Sequence, residues 1–98
     1  MFSIRWETKA IEEQTSIFDF WDKHNKSKTY SRKIFKEIKQ IENLLIKNPN
    51  MGTLTDFCNI RKVIVLSNFF LFYKVVDNII YILTMWDNRR NPDDLNFV

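Results

Sequence analysis

The chain has few of the residues that carry disulfides, metal sites and phosphate-binding loops. Its 98 residues include one cysteine, one histidine, one glycine and two prolines. Cys58 therefore has no partner for an internal disulfide, which is typical of proteins in a reducing cytoplasm. One glycine cannot build a phosphate-cradling loop, and no His, Cys, Asp and Glu cluster has metal-ligand spacing. We therefore expect no metal and no cofactor.

Targeting segments and membrane spans are also missing from the sequence. The start of the chain lacks the basic region and long apolar stretch of a signal peptide. The most apolar segment, residues 63–86, is interrupted by Asn68, Lys74, Asp77 and Asn78, whereas a membrane helix needs about 20 uninterrupted apolar residues. We expect a soluble cytoplasmic protein without a membrane partner.

Apolar and aromatic residues, by contrast, are abundant. They make up 45% and 15% of the chain, which is enough for one hydrophobic core. We predict a single domain over residues 1–98, in which residues 87–98 form a polar tail broken by Pro92. The net charge of +3 fits an anionic partner, although many ordinary basic proteins carry the same charge.

The spacing of apolar residues predicts the order βααβββ. Alternation at Phe2, Ile4 and Trp6 predicts a short first strand, and apolar residues at three- and four-residue steps predict helices over 8–23 and 28–47. After a connecting loop over 53–59, three runs rich in β-branched and aromatic residues predict three strands. The runs are 60–66, 69–76 and 79–86. The fold class is α+β, with a two-helix hairpin on one face of a small antiparallel sheet.

The breaks Ser67-Asn68 and Asp77-Asn78 predict two tight hairpins, and their length sets the strand register. If both loops have two residues, Arg61 lies opposite Lys74, and Lys74 lies opposite Tyr81. The other face is then nearly continuous aliphatic surface, and we expect it to pack beneath the helices. Its predicted members are Ile60, Ile64, Leu66, Phe69, Leu71, Tyr73, Val75, Ile80 and Ile82.

The face with Arg61 and Lys74 is predicted to be at least partly open, because burial of unpaired cations costs several kcal/mol. It is also predicted to carry Val63, Val65, Phe70, Phe72 and Met85. An exposed apolar patch of this size is unusual for a monomer. We therefore expect a partner protein to cover Phe70, Phe72 and Met85.

A series of short motifs extends along nearly the whole chain. They are Trp6 and Ala10, Ile17 with Phe20-Trp21, Leu44-Leu45 before Asn48-Pro49-x-x-Gly52, Ile60-Arg61, Phe72-Tyr73-Lys74-Val75, Ile79-Ile80-Tyr81-Ile82-Leu83 and Asp87-Asn88-Arg89-Arg90. Their order, spacing and total length resemble toxins of the RelE/ParE superfamily from bacterial type II toxin–antitoxin systems. The resemblance implies the two-helix hairpin on a sheet, inhibition of bacterial growth, and a cognate antitoxin that forms a hetero-oligomer with the toxin.

Two branches of this superfamily act on different targets. RelE-like members cut messenger RNA on the ribosome, which needs a base, an acid and cations at the phosphate. For that branch, the resemblance implies Arg61 as a phosphate ligand, Lys74 as a second cation and Tyr81 as an acid. Nuclease members often place His or Tyr at the end of the last strand, where this chain has Met85-Trp86-Asp87.

ParE-like members inhibit DNA gyrase by binding, and their last strand commonly runs into a short arginine-containing segment. Arg89-Arg90 is similar to that segment, which implies target or nucleic-acid binding by Arg61, Arg89 and Arg90. The missing terminal His or Tyr favours the ParE-like branch. It is also compatible with a degenerate member that binds partners and has no catalytic activity.

Each candidate residue also has an ordinary structural interpretation. Arg61 could pair with an acid of the tail, Lys74 could be a solvated strand residue, and Tyr81 could be a core aromatic with its hydroxyl at the rim. His24 is interpreted as a loop residue. A basic stripe on the second helix could meet an RNA backbone or simply be solvated, and it consists of Lys28, Arg32, Lys36 and Lys39.

Overall fold

The computed structural model describes residues 1–97 and has two helices packed on one face of a five-stranded sheet, so the predicted α+β fold is confirmed. The elements are β1 (Ser3–Trp6), α1 (Thr8–Asn25), α2 (Thr29–Lys47), β2 (Thr53–Leu54), β3 (Arg61–Val65), β4 (Phe69–Val76) and β5 (Ile79–Asp87), followed by a short 3-10 turn (Pro92–Asp94). Neither helix offers the apolar length that a bilayer span requires within residues 1–97.

The helices form where the apolar spacing predicts them. The stripe of α2 is buried at Ile34, Ile38, Ile41 and Leu45. α1 ends at Asn25 and is capped by Lys26, which has a left-handed φ of 51°. The left-handed residue turns the chain so that its own N–H and that of the next residue bond back to the carbonyls of the last turn.

The strand order is β1-β5-β4-β3-β2, and two features go beyond the predicted sheet. β1 pairs in parallel with β5, with Ile4 opposite Ile80, so the sheet is mixed. β2 lies in the segment predicted to be a loop, and it pairs with the start of β3. β1 can pair in parallel because the whole helical hairpin serves as the connection between the sheet edges.

The predicted register is correct for one hairpin and wrong for the other. Lys74 lies opposite Tyr81 as predicted, because the β4–β5 loop has two residues. Arg61, however, lies opposite Tyr73, because the β3–β4 loop comprises the three residues 66–68. Leu66 and Ser67 both have positive φ, at 54° and 74°.

The extra loop residue moves every side chain of β3 to the other face of the sheet. Val63 and Val65, predicted on the open face, pack in the helix-side core. Ile60, predicted beneath the helices, belongs to the cluster on the opposite face, and Ile64 is 53% exposed.

Met85 lies on the face opposite to the one predicted, because β5 contains a β-bulge. The β4–β5 register shifts between Phe72 and Tyr73, so that Phe72 faces Thr84 while Tyr73 faces Ile82. The additional residue on β5 reverses the alternation beyond it. Met85, predicted on the open face, is therefore buried in the helix-side core with 1% exposure, and Trp86 lies on the opposite face.

The chain covers much of its own second sheet face. Phe70 and Phe72 do lie on the face away from the helices, as predicted. The tail, predicted to be only a polar extension, folds back and packs Leu95 and Phe97 against this cluster. The ring centroids of Phe72 and Phe97 are 5.2 Å apart, and Phe72 retains only 4% exposure. Part of the expected cover is thus intramolecular.

Candidate functional site

Arg61 lies at the first position of β3 and is bound to main-chain oxygens. Its Nη1 donates to the carbonyls of Gly52, at 2.8 Å, and Asn50, at 3.1 Å. The guanidinium group therefore fastens the turn that links α2 to β2. The predicted pairing with an acid of the tail is absent from residues 1–97, where carbonyl oxygens take that place.

Tyr73, a residue that the sequence interpretation treated only as core, completes the same turn. Its hydroxyl accepts a hydrogen bond from the Gly52 N–H at 2.9 Å and donates one to the Pro49 carbonyl at 2.8 Å. Burial raises the pKa of the Tyr73 phenol, and the Gly52 N–H and Arg61 partly offset that effect. A phenol held neutral in this way serves the structure of the turn.

Lys74 and Tyr81 form a cross-strand pair on the face away from the helices. Arg5 of β1 lies opposite Tyr81, so three side chains form a row across β1, β5 and β4. None of the three has a hydrogen-bond or ion-pair partner within the part of the chain that the structure describes. Alternation along β1 predicts that Arg5 faces away from the side that carries Ile4 and Trp6. Its place beside Tyr81, however, depends on the pairing of β1 with β5, which the sequence alone does not reveal.

Arg61 and Lys74 line a common cavity at the start of β3. It has a volume of about 180 Å³ and is lined by Asn50, Leu54, Asn59, Arg61, Tyr73, Lys74 and Val75. Tyr81 is not among these residues. The volume is below the roughly 300–1,000 Å³ of typical small-molecule sites.

The end of β5 is organised around two arginines. The Asp87 carboxylate accepts hydrogen bonds from the main-chain N–H, the Nε and the Nη2 of Arg89, and Nη2 lies 2.6 Å from Oδ2. These bonds lower the pKa of the Asp87 carboxyl group. Arg89 also lies over the ring of Trp21 in α1, at 5.6 Å, and Arg90 lies over Trp86 on the other side of the sheet, at 4.1 Å. Both arginines are exposed and held in defined positions.

Where β5 extends past the end of β1, a carboxylate of α1 accepts a main-chain hydrogen bond from β5. Pairing with β1 stops at Ile82, whose carbonyl accepts from the Glu7 N–H. The next free N–H on this edge, that of Met85, donates to Glu13 Oε1 at 3.2 Å. Burial raises the pKa of the Glu13 carboxyl group, although the Met85 N–H and nearby Lys9 act against it.

Comparison with known proteins places most of the chain in one family. Residues 4–92 match the family model described as the ParE toxin of the type II toxin–antitoxin system, parDE. No curated protein sequence matches. The fold is similar to a chain of the chromosomal ParDE toxin–antitoxin system from P. aeruginosa, with 20% identity, a TM-score of 0.75, and coverage of 89% of this chain and 96% of that chain.

Structures of a second protein, YafQ, are also similar. YafQ from E. coli matches with 12% identity and a TM-score of 0.57, and the E. coli DinJ–YafQ complex with 12% identity and a TM-score of 0.58. Each match covers 91% of this chain and 96% of the other. These structural likenesses concern the fold, while the family model covers most of the sequence and favours the ParE-like branch. The chain belongs to the ParE toxin family of type II toxin–antitoxin systems.

Proposed function

We propose that this toxin arrests growth in the bacterial cytoplasm by binding DNA gyrase, without cutting RNA. The observation that carries the proposal is the end of β5. Cleavage by a 2′-hydroxyl needs an acid for the leaving oxygen. At this strand end Trp86 is buried, and the Asp87 carboxylate is occupied by Arg89. A group of lowered pKa is a poor proton donor, so the chain lacks an acid where nuclease relatives carry theirs.

The positions of the other candidate residues support the same proposal. One guanidinium nitrogen of Arg61 donates hydrogen bonds to two main-chain carbonyls, and Arg61 lies on the same face of the sheet as Tyr73. Lys74 and Tyr81 lie on the opposite face. Lys74 still reaches the cavity of Arg61, but Tyr81 does not line it, so Tyr81 is not placed to act as an acid on a phosphate held there.

Arg89 and Arg90 are the residues that we propose to contact gyrase. Both are exposed, and each is oriented by an aromatic ring, although the charge of Arg89 is paired with Asp87. Arginine on an aromatic surface is typical of the residues that dominate binding energy at protein interfaces. Arg89 contacts Trp21 of α1 and Arg90 contacts Trp86 of β5, so the two side chains together form a basic surface at the end of β5.

The proposal is tested by expressing the chain in a bacterium with three readouts. We expect growth arrest, intact messenger RNA and accumulation of gyrase–DNA cleavage complexes. Co-expression of the adjacent antitoxin gene should restore growth. Arg90→Ala should reduce cleavage complexes at unchanged protein level, while Arg5→Ala, an exposed arginine on another part of the sheet, should not. Arrest without cleavage complexes would contradict gyrase as the target.

A second candidate, cleavage of ribosome-bound messenger RNA, is favoured by one observation. The row of Arg5, Tyr81 and Lys74 places two cations and a phenol side by side with no partners in residues 1–97. Codon-positioned cuts that disappear in Lys74→Ala and Tyr81→Phe would favour this candidate. Loss of both activities with retained antitoxin binding would instead indicate a degenerate binding module.

The cognate antitoxin is the expected partner in either case. The named complexes of similar fold, ParDE and DinJ–YafQ, are toxin–antitoxin pairs. We propose that the antitoxin approaches the half-buried Phe70 beside the folded tail. Phe72 and Met85, also predicted to contact it, are buried and would reach a partner only after the tail or the core moves.

A further inference from the structure

The positive charge of the molecule is concentrated at one end of the helical hairpin. The segment 20–33 holds the last turns of α1, the connection and the first turn of α2. It carries five basic residues and one acidic residue, namely Lys23, Lys26, Lys28, Arg32 and Lys33 with Asp22. This gives the segment a charge of +4, while the remainder of the chain sums to −1. The net charge of the protein thus arises at this end.

The basic side chains of this segment are not neutralised by neighbours. The ion pairs within residues 1–97 join Lys39 to Glu42 and Arg89 to Asp87, and neither involves these five residues. The one acid, Asp22, is occupied by a hydrogen bond from the Ser31 hydroxyl at 2.6 Å. Fixed positive charge without an internal counterion attracts an anionic ligand.

Aromatic rings cluster at the same end. Phe20 lies 5.2 Å from Trp21 edge to face, and the His24 ring stacks on Phe20 at 5.6 Å with planes 9° apart. Trp21 packs edge to face against Tyr30 at 5.0 Å. Phe20 is 54% exposed although it is large and apolar. An exposed, ordered stack of rings offers flat surfaces on which another ring can lie.

Contacts from the sheet hold this cluster in place. Asn68 of the β3–β4 loop donates to the Tyr30 hydroxyl at 2.8 Å. Arg89, itself fixed by Asp87, lies over Trp21. The cluster is therefore part of the folded domain, joined to the sheet at both Tyr30 and Trp21.

We propose that this surface, which we call the hairpin end, binds single-stranded nucleic acid. Unpaired bases would stack on Phe20 and His24, and the phosphates would lie along Lys23, Lys28 and Arg32. Proteins that bind single strands without sequence preference combine these two elements, a basic track and aromatic stacking surfaces. The site is distinct from the row on the sheet, and its use does not depend on which target the toxin inhibits.

The chemistry favours a single strand over the other anionic polymers. A duplex keeps its bases stacked inside, so it would use the cations and leave the rings without a ligand. An acidic peptide would likewise neutralise the lysines but has no flat rings to stack on Phe20. A single strand is complementary to both features, because its unpaired bases can stack on the exposed rings and its phosphates can pair with the cations.

The proposal is tested with the full-length chain by fluorescence anisotropy of labelled oligonucleotides. A labelled oligothymidine of 12 residues and the matching oligouridine should both bind, with the duplex and a polyglutamate peptide binding more weakly. The logarithm of the binding constant should fall with the logarithm of salt, by about 0.7 per phosphate contact. Each such contact corresponds to roughly fivefold in affinity at 0.1 M salt.

Matched variants separate the proposed site from general charge. Lys28→Glu should weaken oligothymidine binding by at least about fivefold. Lys47→Glu, with the same charge change at the far end of α2, should have much less effect. Phe20→Leu should weaken binding by about tenfold through lost stacking, whereas Phe35→Leu, another exposed aromatic of the hairpin, should not. Circular dichroism of each variant verifies its fold.

Three results would overturn the proposal. The first is the absence of binding to either oligonucleotide at low salt. The second is equal weakening by Lys28→Glu and Lys47→Glu, which would reduce the effect to overall charge. The third is equal or tighter binding of the duplex or the polyglutamate peptide, which would remove the role of stacking. A failure of the gyrase experiment would leave these binding measurements unaffected.

Discussion

Tyr73 is a fully buried tyrosine whose hydroxyl group closes the turn between α2 and β2. Tyr73→Phe keeps the ring but leaves the Gly52 N–H and the Pro49 carbonyl without this partner. We expect a loss of about 1–3 kcal/mol in the free energy of unfolding, because buried polar groups then lack hydrogen bonds. The urea midpoint measures the effect.

The other strand tyrosine provides the control for this prediction. Tyr81 is half-buried, and its hydroxyl has no hydrogen-bond partner within the described chain, residues 1–97. Tyr81→Phe should change the free energy of unfolding by less than about 0.5 kcal/mol. Equal losses in the two variants would contradict the assignment of the turn to Tyr73.

Glu13 should make stability fall as the pH rises above about 4.5. Its pKa in the folded chain is raised above the ordinary 4.5, so folding favours the protonated form. Its contribution to stability is fully present below pH 4.5 and is lost as pH rises through the folded pKa. Glu13→Gln, whose amide oxygen can still accept from Met85, should flatten the profile.

Urea midpoints at several pH values above 4.5 measure this effect. Asp87 acts in the opposite direction, since its lowered pKa removes stability only as the pH falls below about 3.8. The effects of Glu13 and Asp87 on stability therefore fall in different pH ranges and can be measured separately. Parallel profiles for the Glu13→Gln variant and the unchanged chain would contradict the prediction.

The folded tail covers part of the sheet face that lies away from the helices. Phe97 packs on Phe72 and, at 4.7 Å, on Phe57. Phe97→Ala should lower the free energy of unfolding by about 1–2 kcal/mol, because a half-buried ring is removed and the face beneath it is wetted. Binding of an apolar dye should rise at the same time, as Phe72 and Trp86 become accessible.

An exposed apolar residue elsewhere calibrates that measurement. Leu44 on α2 is 52% exposed, so Leu44→Ala should cost less than about 0.5 kcal/mol and leave dye binding unchanged. If Phe97→Ala behaves like Leu44→Ala, the tail does not protect the sheet face in solution.

The structure departs from the predicted fold at positions where a local sequence signal competes with a distant contact. The β4–β5 register followed from Asp77-Asn78, but Leu66 reads as a strand residue and instead enters the loop with positive φ. Nothing in the alternation of residues 79–87 marks the bulge that buries Met85. The tail was interpreted as polar because Leu95 and Phe97 are isolated in sequence, and their partners lie far away along the chain.

The site was predictable only in part, for a related reason. The pair of Lys74 and Tyr81 depends on one local hairpin and was predicted correctly. The anchoring of Arg61 depends on carbonyl groups of a turn, which no pattern of side chains reveals. Arg5 required the parallel pairing of β1, a contact between segments more than 70 residues apart.

For the molecule as a whole, the topology predicts a single cooperative unfolding transition. β5 pairs with β1 and β4 and also packs against α1, so its loss would disconnect β1 and α1 from the rest of the sheet. Urea curves from far-ultraviolet circular dichroism and from tryptophan fluorescence should coincide, since the tryptophans at 6, 21 and 86 report on β1, α1 and the tail face. Separate midpoints would show that the helical hairpin folds on its own.

The parallel pairing of β1 with β5 has a consequence for synthesis on the ribosome. β1 emerges first, yet its partner is the last strand to be made, so both helices and three strands must be translated before the sheet can close. A nascent or prematurely terminated chain therefore has no completed sheet and no assembled β5 end. The β5 end, with Arg89 and Arg90 in their defined positions, can therefore form only after β5 has left the ribosome.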